Sequence, residues 1–287
     1  MSGPVERFEA DWLTLREPAD HVARAEALTE GLAVWCAART GGRRPLRVVD
    51  LGSGTGSNLR WLAPRLAARP EVPQAWTLVD HDAGLLARAR RLSEAHPPGG
   101  AASVTTLAAP LTGVGGRLDP ALAEVIAGAD VVTASALLDL LSASALHAVV
   151  DATVRAGAAA LLALSYDGTI VWTPSDADDD RVRDAVNAHQ RRDKGTGPAL
   201  GPTAGDAAAE AFGSVGYRVE SAGSAWVLGP AEVALAGALL DGWSTAATEQ
   251  APHDADRLVS WAARRREVLG GAFELRVGHL DVLALPA

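Results

Sequence analysis

The stretch Arg47-Val48-Val49-Asp50-Leu51-Gly52-Ser53-Gly54-Thr55-Gly56-Ser57 constrains this chain more than any other, because a short apolar run ends in an acid and breaks into three alternating glycines. Val48, Val49 and Leu51 predict a buried parallel strand, since a strand covered on both faces is apolar throughout instead of alternating. Gly52, Gly54 and Gly56 predict a tight turn after it. Glycine serves where φ must be positive or where a ligand approaches without a Cβ in its way. Helical spacing then runs from Ser57 to Ala68. A strand, a glycine turn and a helix together have the form of a nucleotide cradle.

The spacing and the charge narrow the ligand. Dinucleotide-binding turns read G-x-G-x-x-G and rest a pyrophosphate on the helix N-terminus. Here the glycines run G-x-G-x-G, and Asp50 stands two residues ahead of them. A phosphate would be repelled by that carboxylate, whereas a ligand carrying an ammonium and a sulfonium would not. The pattern D-x-G-x-G-x-G, carried by Asp50, Gly52, Gly54 and Gly56, resembles the first motif of the class I S-adenosylmethionine-dependent methyltransferases. In that superfamily it wraps the methionine end of the cofactor.

The resemblance is to the superfamily and not to one enzyme. It implies an α/β fold, doubly wound and Rossmann-like, with a seven-stranded mostly parallel sheet and an antiparallel C-terminal edge strand. It also implies S-adenosyl-L-methionine as cofactor, S-adenosyl-L-homocysteine as product, and Asp50, Gly52, Ser53, Gly54 and Asn58 as cofactor-binding residues.

A second apolar run, Ala75-Trp76-Thr77-Leu78-Val79-Asp80-His81-Asp82, again ends in acids before helical spacing resumes at Leu85, Leu86 and Ala89. In a doubly wound sheet Asp80 would stand at the carboxyl end of the neighbouring strand and accept hydrogen bonds from ribose hydroxyls, with His81 beside it in the same site. NAD enzymes share this feature, so it supports an adenosine ligand without choosing the chemistry. The competing role for Asp80 and Asp82 is capping of the next helix.

Composition excludes several classes of function. The formal net charge of −9 argues against a broad phosphate-binding face, and Lys194 is the only lysine. Nucleic acid is therefore not an expected substrate; nor does Ser135-Ala136-Leu137-Leu138 after the fourth strand resemble an N-P-P-Y loop. The single cysteine, Cys36, suits a reducing compartment and stands beside Trp35 in an apolar helix, where packing is its expected role. No run of about 18 apolar residues occurs, and Met1-Ser2-Gly3-Pro4-Val5-Glu6 lacks the regions of a signal peptide. A cytoplasmic protein is expected, off the membrane, as a monomer or homodimer. Alanine and arginine far outweigh isoleucine and lysine, the usage of a GC-rich bacterial genome. Seven histidines show no H-E-x-x-H or H-x-H grouping, so no metal is expected.

The 48% of hydrophobic residues supplies a core for one domain, divided into an N-terminal helical cap (1–44), a cofactor-binding core (45–172), a substrate-recognition insertion (173–204) and a C-terminal part of the sheet with inserted helices (205–287). In the cap, Trp12 and Arg16 are candidates to close over the cofactor, Arg16 by pairing the methionine carboxylate; packing of Trp12 and solvation of Arg16 are the alternative. Val104 to Leu111 predicts the third strand and its exit. Relatives carry an acid there for the adenine, but this chain has Ala108, Ala109 and Pro110, which leaves Leu111 as the adenine contact. Ser135 and Ala136 end the fourth strand, where the resemblance places them beneath the methionine part of the cofactor. Asp139 either reaches substrate or caps the following helix.

Tyr166 and Asp167 close the fifth strand at its carboxyl end. The polar stretch from Pro174 to Pro202 shows no strand pattern and is expected to carry recognition, with Asn187, His189, Gln190 and Arg191 facing the acceptor. His189 is the candidate general base, Tyr166 a second catalytic candidate, and Asp139, Tyr166, Asp167, Asn187, His189 and Arg191 the substrate-binding set. The competing expectation for that stretch is a solvated helix face. Trp243 and Trp261 have core-like spacing. The expected activity is methyl transfer to an oxygen, nitrogen or carbon nucleophile of a small molecule. The alternatives are a cofactor-binding protein that transfers nothing and an NAD(P)-dependent oxidoreductase, though the chain lacks Y-x-x-x-K.

Overall fold

A computed structural model describes residues 9–40, 44–67, 73–113, 117–195 and 197–287. Met1 to Glu6, on which the signal-peptide reading rests, lie outside the described residues, as do Ala68 and Thr196.

Two helices, α1 (Ala10–Ala23) and α2 (Glu26–Thr40), precede an alternating core. It runs β1 (Leu46–Leu51), α3 (Ser57–Ala67), β2 (Gln74–Asp80), α4 (Ala83–Ala95), β3 (Ala101–Ala108), α5 (Pro120–Ala127), β4 (Val131–Ser135), α6 (Ala143–Ala156) and β5 (Ala159–Thr173). After β5 come α7 (Asp179–Gln190), α8 (Ala204–Ser214), β6 (Arg218–Gly223), β7 (Trp226–Leu228), α9 (Val233–Gln250), α10 (Ala255–Leu269) and β8 (Glu274–Leu285). The strand order is β3-β2-β1-β4-β5-β8-β6, with β7 also paired to β8. β1 to β5 run parallel, and β8 is antiparallel to β5, β6 and β7. The C-terminal antiparallel strand thus sits one place in from the edge.

Alternation of strands and helices dictates this sheet, because a parallel neighbour needs a crossover and a helix is the usual one. β1 lies mid-sheet between β2 and β4. The winding direction reverses there, and open α/β sheets bind ligands in the crevice at such a reversal.

Helices cover both faces. On one, Leu122, Ile126, Leu146, Val150 and Phe212 of α5, α6 and α8 pack on Val132, Leu162 and Val282. On the other, Leu32, Leu59, Leu62 and Leu86 pack on Val48, Leu78 and Leu161. Burying each of these side chains contributes about 1.5–3 kcal/mol. Cys36 lies within the second layer, and burial pushes its thiol well above the usual range, which suits packing and not nucleophilic attack.

A third cluster stands on the far ends of β5 and β8, where Trp172, Trp243, Trp261 and Phe273 pack together. Trp172 meets Trp243 edge-on with ring centres 6.5 Å apart. Trp261 is 1% exposed, so these indoles are core and form no open aromatic cage.

Two of the open alternatives divide here. The polar stretch expected to carry recognition holds a regular helix, α7, whose Val182 and Val186 recur at helical spacing and are buried, so one face of it is packed and not solvated. Its acidic start is tied inward: Arg264 holds Asp176 with contacts of 2.6 and 2.8 Å, Arg257 reaches Asp178, and buried Arg265 pairs with Asp179. The helix cap after β4 is Ser142, whose hydroxyl accepts from the Ala145 amide at 3.3 Å, and not Asp139. Among the described residues no helix is long and apolar enough to cross a membrane.

Candidate functional site

The turn after β1 has the backbone that its glycines foretell, with φ of +59° at Gly52, +52° at Gly54 and +80° at Gly56. A Cβ on Gly52 would lie 2.7 Å from Leu137 Cδ1, and one on Gly54 3.0 Å from Leu13 Cδ1. Only glycine fits both the rotation and the space. The hairpin is fastened to β2, since the Ser53 amide donates to the Val79 carbonyl (3.0 Å) and the Gly54 amide to Asp80 Oδ2 (2.9 Å). Over it lies a cavity of about 210 Å³ at the carboxyl ends of β1, β2 and β4, with Leu13, Arg16 and Asp20 of α1 on one side.

Asp50 forms part of the lining and is 0% exposed. Its Oδ1 accepts from Asn58 Nδ2 at 2.7 Å, while Oδ2 is buried with no partner among the described residues. Asn58 is itself fixed, donating to Thr133 Oγ1 (3.1 Å) and accepting from Arg24 Nη1 (2.9 Å). Burial raises the Asp50 pKa to about 7; the Asn58 hydrogen bond and the Arg24 charge oppose that rise, and Asp80 adds to it. Ser53 Oγ is a second buried polar atom of the site with no partner among the described residues. An unpaired buried carboxylate oxygen costs folding free energy, and a cationic donor bound there would remove that cost.

At the end of β2, Asp80 is 8% exposed, and its Oδ1 accepts from the Asp82 amide at 2.9 Å with His81 Nδ1 3.3 Å away. Asp82 caps α4 through the amides of Gly84 and Leu85. Leu85, Ala109, Pro110 and Leu111 form an apolar wall beside Asp80, and Ser135 and Ala136 line the opposite side. Ala136 takes φ +53°, a left-handed conformation that costs a non-glycine residue about 1 kcal/mol or more. Its amide donates to the Ala163 carbonyl at 2.9 Å, which holds the turn in place.

The predicted residues divide. Arg16, Asp50, Gly52, Ser53, Gly54, Asn58, Asp80, His81, Leu111, Ser135 and Ala136 come together on the cavity wall. Trp12 does not; it packs against the third cluster, and Leu13 faces the cavity in its place. Arg16 is not a solvated charge, because Nε and Nη2 grip Asp20 at 2.9 and 3.1 Å and its guanidinium lies 5.1 Å above the Trp226 ring. Trp226 Nε1 donates to Asp20 as well, at 3.1 Å.

The proposed acceptor residues are elsewhere. Tyr166 is buried and donates to Asn187 Oδ1 (2.8 Å), whose Nδ2 donates to the Gly168 carbonyl (3.0 Å). Burial also pushes the Tyr166 hydroxyl above its ordinary range, so this pair fastens α7 to β5 and is closed to the cavity. Asp167 is exposed and caps its own turn at the Thr169 amide (2.8 Å). His189 lies 3.2 Å from Glu249 across the α7–α9 face, and Arg191 is exposed beside the Asn187 carbonyl. Asp139 stands on the turn Leu138–Leu140 but does not line the cavity. The end of the polar stretch does reach it, through Lys194 and Gly195. Residue pattern missed these because a lone lysine in a glycine-rich turn has no periodicity. Among the described residues no group of His, Cys, Asp and Glu is arranged to hold a metal ion.

No protein-family model and no curated protein matches the chain. Solved structures with a similar course include the S-adenosylmethionine-dependent methyltransferase from Geobacter sulfurreducens in complex with S-adenosyl-L-homocysteine, 18% identical over 97% of this chain and 99% of that one, with TM-score 0.43. The corresponding methyltransferase from Thiobacillus denitrificans, in complex with the same ligand, is 16% identical over 97% and 99%, with TM-score 0.44. The citrinin polyketide synthase CMeT domain is 19% identical over 62% of this chain, which spans 42% of that one, with TM-score 0.40. The strand order and the glycine hairpin, both observed in this chain, are those of a doubly wound, Rossmann-like α/β fold.

Proposed function

We propose that the chain binds S-adenosyl-L-methionine in this cavity and takes part in transfer of its methyl group to an oxygen, nitrogen or carbon nucleophile of a small molecule. The observation that carries the reading is Asp50, a fully buried carboxylate with one oxygen unpartnered beneath a glycine hairpin. A diphosphate would meet the charges of Asp50 and Asp80 there, whereas an ammonium would complete the hydrogen bonding.

The residues present fit that cofactor. Asp50 would take its ammonium, Arg16 its carboxylate, Asp80 the ribose hydroxyls, and Leu85 and Leu111 would flank the adenine. When bound, the sulfonium supplies a methyl group already attached to a good leaving group. The work left to the protein is alignment and exclusion of water. Leu137, Leu140 and Leu141 supply an apolar wall for that task. Because His189 and Tyr166 stand apart from the cavity, neither is assigned a proton-transfer role.

Calorimetry should detect S-adenosyl-L-homocysteine binding and no NADH binding; the reverse pattern would overturn the reading. Labelled cofactor incubated with host extract should then yield a methylated metabolite. Binding without transfer to any component would instead define a cofactor-binding protein without that activity.

A further inference from the structure

We infer that Arg24, at the junction of α1 and α2, is a positioning residue for cofactor binding: through the Asn58 amide it holds Asp50 as a carboxylate whose Oδ2 is left for the ligand. This rests on the reading of the cavity as a cofactor site. Arg24 does not line the cavity and is buried, so its influence on a ligand passes through its neighbours.

A guanidinium carries donors only, whereas an asparagine amide has an acceptor on one side and donors on the other. Arg24 Nη1 lies 2.9 Å from Asn58 Oδ1, which turns Nδ2 toward Asp50 Oδ1 (2.7 Å) and Thr133 Oγ1 (3.1 Å). Thr133 gives its own proton to the Leu161 carbonyl at 2.8 Å, so it accepts from Nδ2 and fixes the same orientation. Asp50 therefore meets a donor, which favours its ionised form. A flipped amide would present an acceptor and favour the acid.

The guanidinium is held where it acts. Asp281 Oδ2 stands 3.7 Å from Arg24 Nε and accepts from the Ala25 amide at 3.0 Å, while Asp281 Oδ1 accepts from the Leu164 amide of β5 at 2.7 Å. The Trp61 ring centre lies 4.3 Å from Arg24 Cζ. Arg24 Nη2 is buried with no hydrogen-bond partner among the described residues. A long apolar side chain would fill this space at less cost than an incompletely paired charge, so packing alone does not account for an arginine here. The charges that act on Arg24 are Asp281 of β8, Asp20 of α1, Asp50 of β1 and Arg65 of α3; those that act on Asp50 are Arg24 and Asp80 of β2. Arg24 also acts on His21 of α1, which burial holds below its ordinary range and so keeps neutral from pH 7 upward.

The test follows the full chain in two ways. Carbon-13 NMR of aspartate-labelled, ligand-free protein tracks the Asp50 carboxyl, assigned with Asp50→Asn, and calorimetry measures S-adenosyl-L-homocysteine binding at pH 7 and pH 9. The wild-type midpoint, about 7, should rise by about one unit or more in Arg24→Gln and by less in Arg24→Lys, which keeps the charge. Affinity in Arg24→Gln should then fall about fivefold at pH 7 and return to within about twofold of wild type at pH 9, where Asp50 is ionised in both. A merely structural role would weaken binding equally at the two pH values. If Arg24→Gln does not fold, the double variant that also carries Asp281→Asn removes the buried pair together and is read in its place. An unmoved midpoint, a shift as large in Arg24→Lys, or a loss of affinity that persists at pH 9 would overturn the inference. Failure of wild-type protein to bind S-adenosyl-L-homocysteine would instead overturn the methyl-transfer reading, with the ligand-free titration still deciding what Arg24 does to Asp50.

Discussion

Acidification should weaken S-adenosyl-L-homocysteine binding steeply, and the steepness follows from Asp50. Its carboxyl is fully buried, and its pKa is raised to about 7, chiefly by burial. If the ligand's ammonium takes the unpartnered Oδ2, the carboxylate is the binding form and the association constant follows its ionised fraction. That fraction is about one half at pH 7 and roughly one in a hundred at pH 5, so the dissociation constant should rise about tenfold per pH unit below 7. Binding at pH 6 must also release close to one proton. The calorimetric enthalpy there should therefore change with the ionisation enthalpy of the buffer. Asp50→Asn should bind at least about tenfold more weakly at pH 8 and lose both dependences. The unliganded protein has the opposite preference. Between the ordinary value of 3.8 and about 7 the folded state holds a proton that the unfolded chain has released. Stability from this group is thus fully present below the ordinary value and falls as pH rises to about 7, by an amount on the order of 4 kcal/mol. Asp50→Asn should consequently melt higher than wild type at pH 8 while binding less. A dissociation constant that stays flat from pH 5 to 8, or an Asn variant that melts no higher at pH 8, would refute this account.

Three further outcomes are expected. Gly52→Ala puts a Cβ 2.7 Å from Leu137 Cδ1 at a φ of +59°, so thermal melting should register a loss of about 1–3 kcal/mol, and ligand binding should weaken as the hairpin shifts. Asp20→Asn weakens the grip on Arg16, and should reduce binding of S-adenosyl-L-homocysteine several-fold more than binding of 5′-methylthioadenosine, which lacks the carboxylate; equal losses would mean that Arg16 does not contact that group. His189→Ala and Tyr166→Phe alter residues outside the cavity and should leave ligand affinity and any methyl-transfer rate within about twofold of wild type, so a large loss of rate in the histidine variant would return it to the chemistry.

Much of this protein is written locally. Val48, Val49 and Leu51 before three glycines dictate strand and hairpin, because an all-apolar run must be covered on both sides and only glycine adopts the required rotations beside Leu137 and Leu13. The acids closing β1 and β2 were legible for the same reason, since strand order puts both at one end of the sheet. The helix α5 was legible in principle from Asp119-Pro120, a cap followed by proline in the first turn, though its few residues carry little periodicity. Tertiary structure alone decided which polar residues meet the cavity. Asn187, His189 and Arg191 share a polar stretch with Lys194, and their sequence gives no sign of which way each faces. The direction came from Val182 and Val186 turning α7 onto the tryptophan cluster, which draws Asn187 to Tyr166 and His189 to Glu249. Only the turn beyond, fastened by Asp193 and by Leu141, is carried back over the glycine hairpin. A short motif fixes its own backbone through local sterics, whereas the neighbours of a side chain far along the chain depend on how whole helices bury their apolar faces.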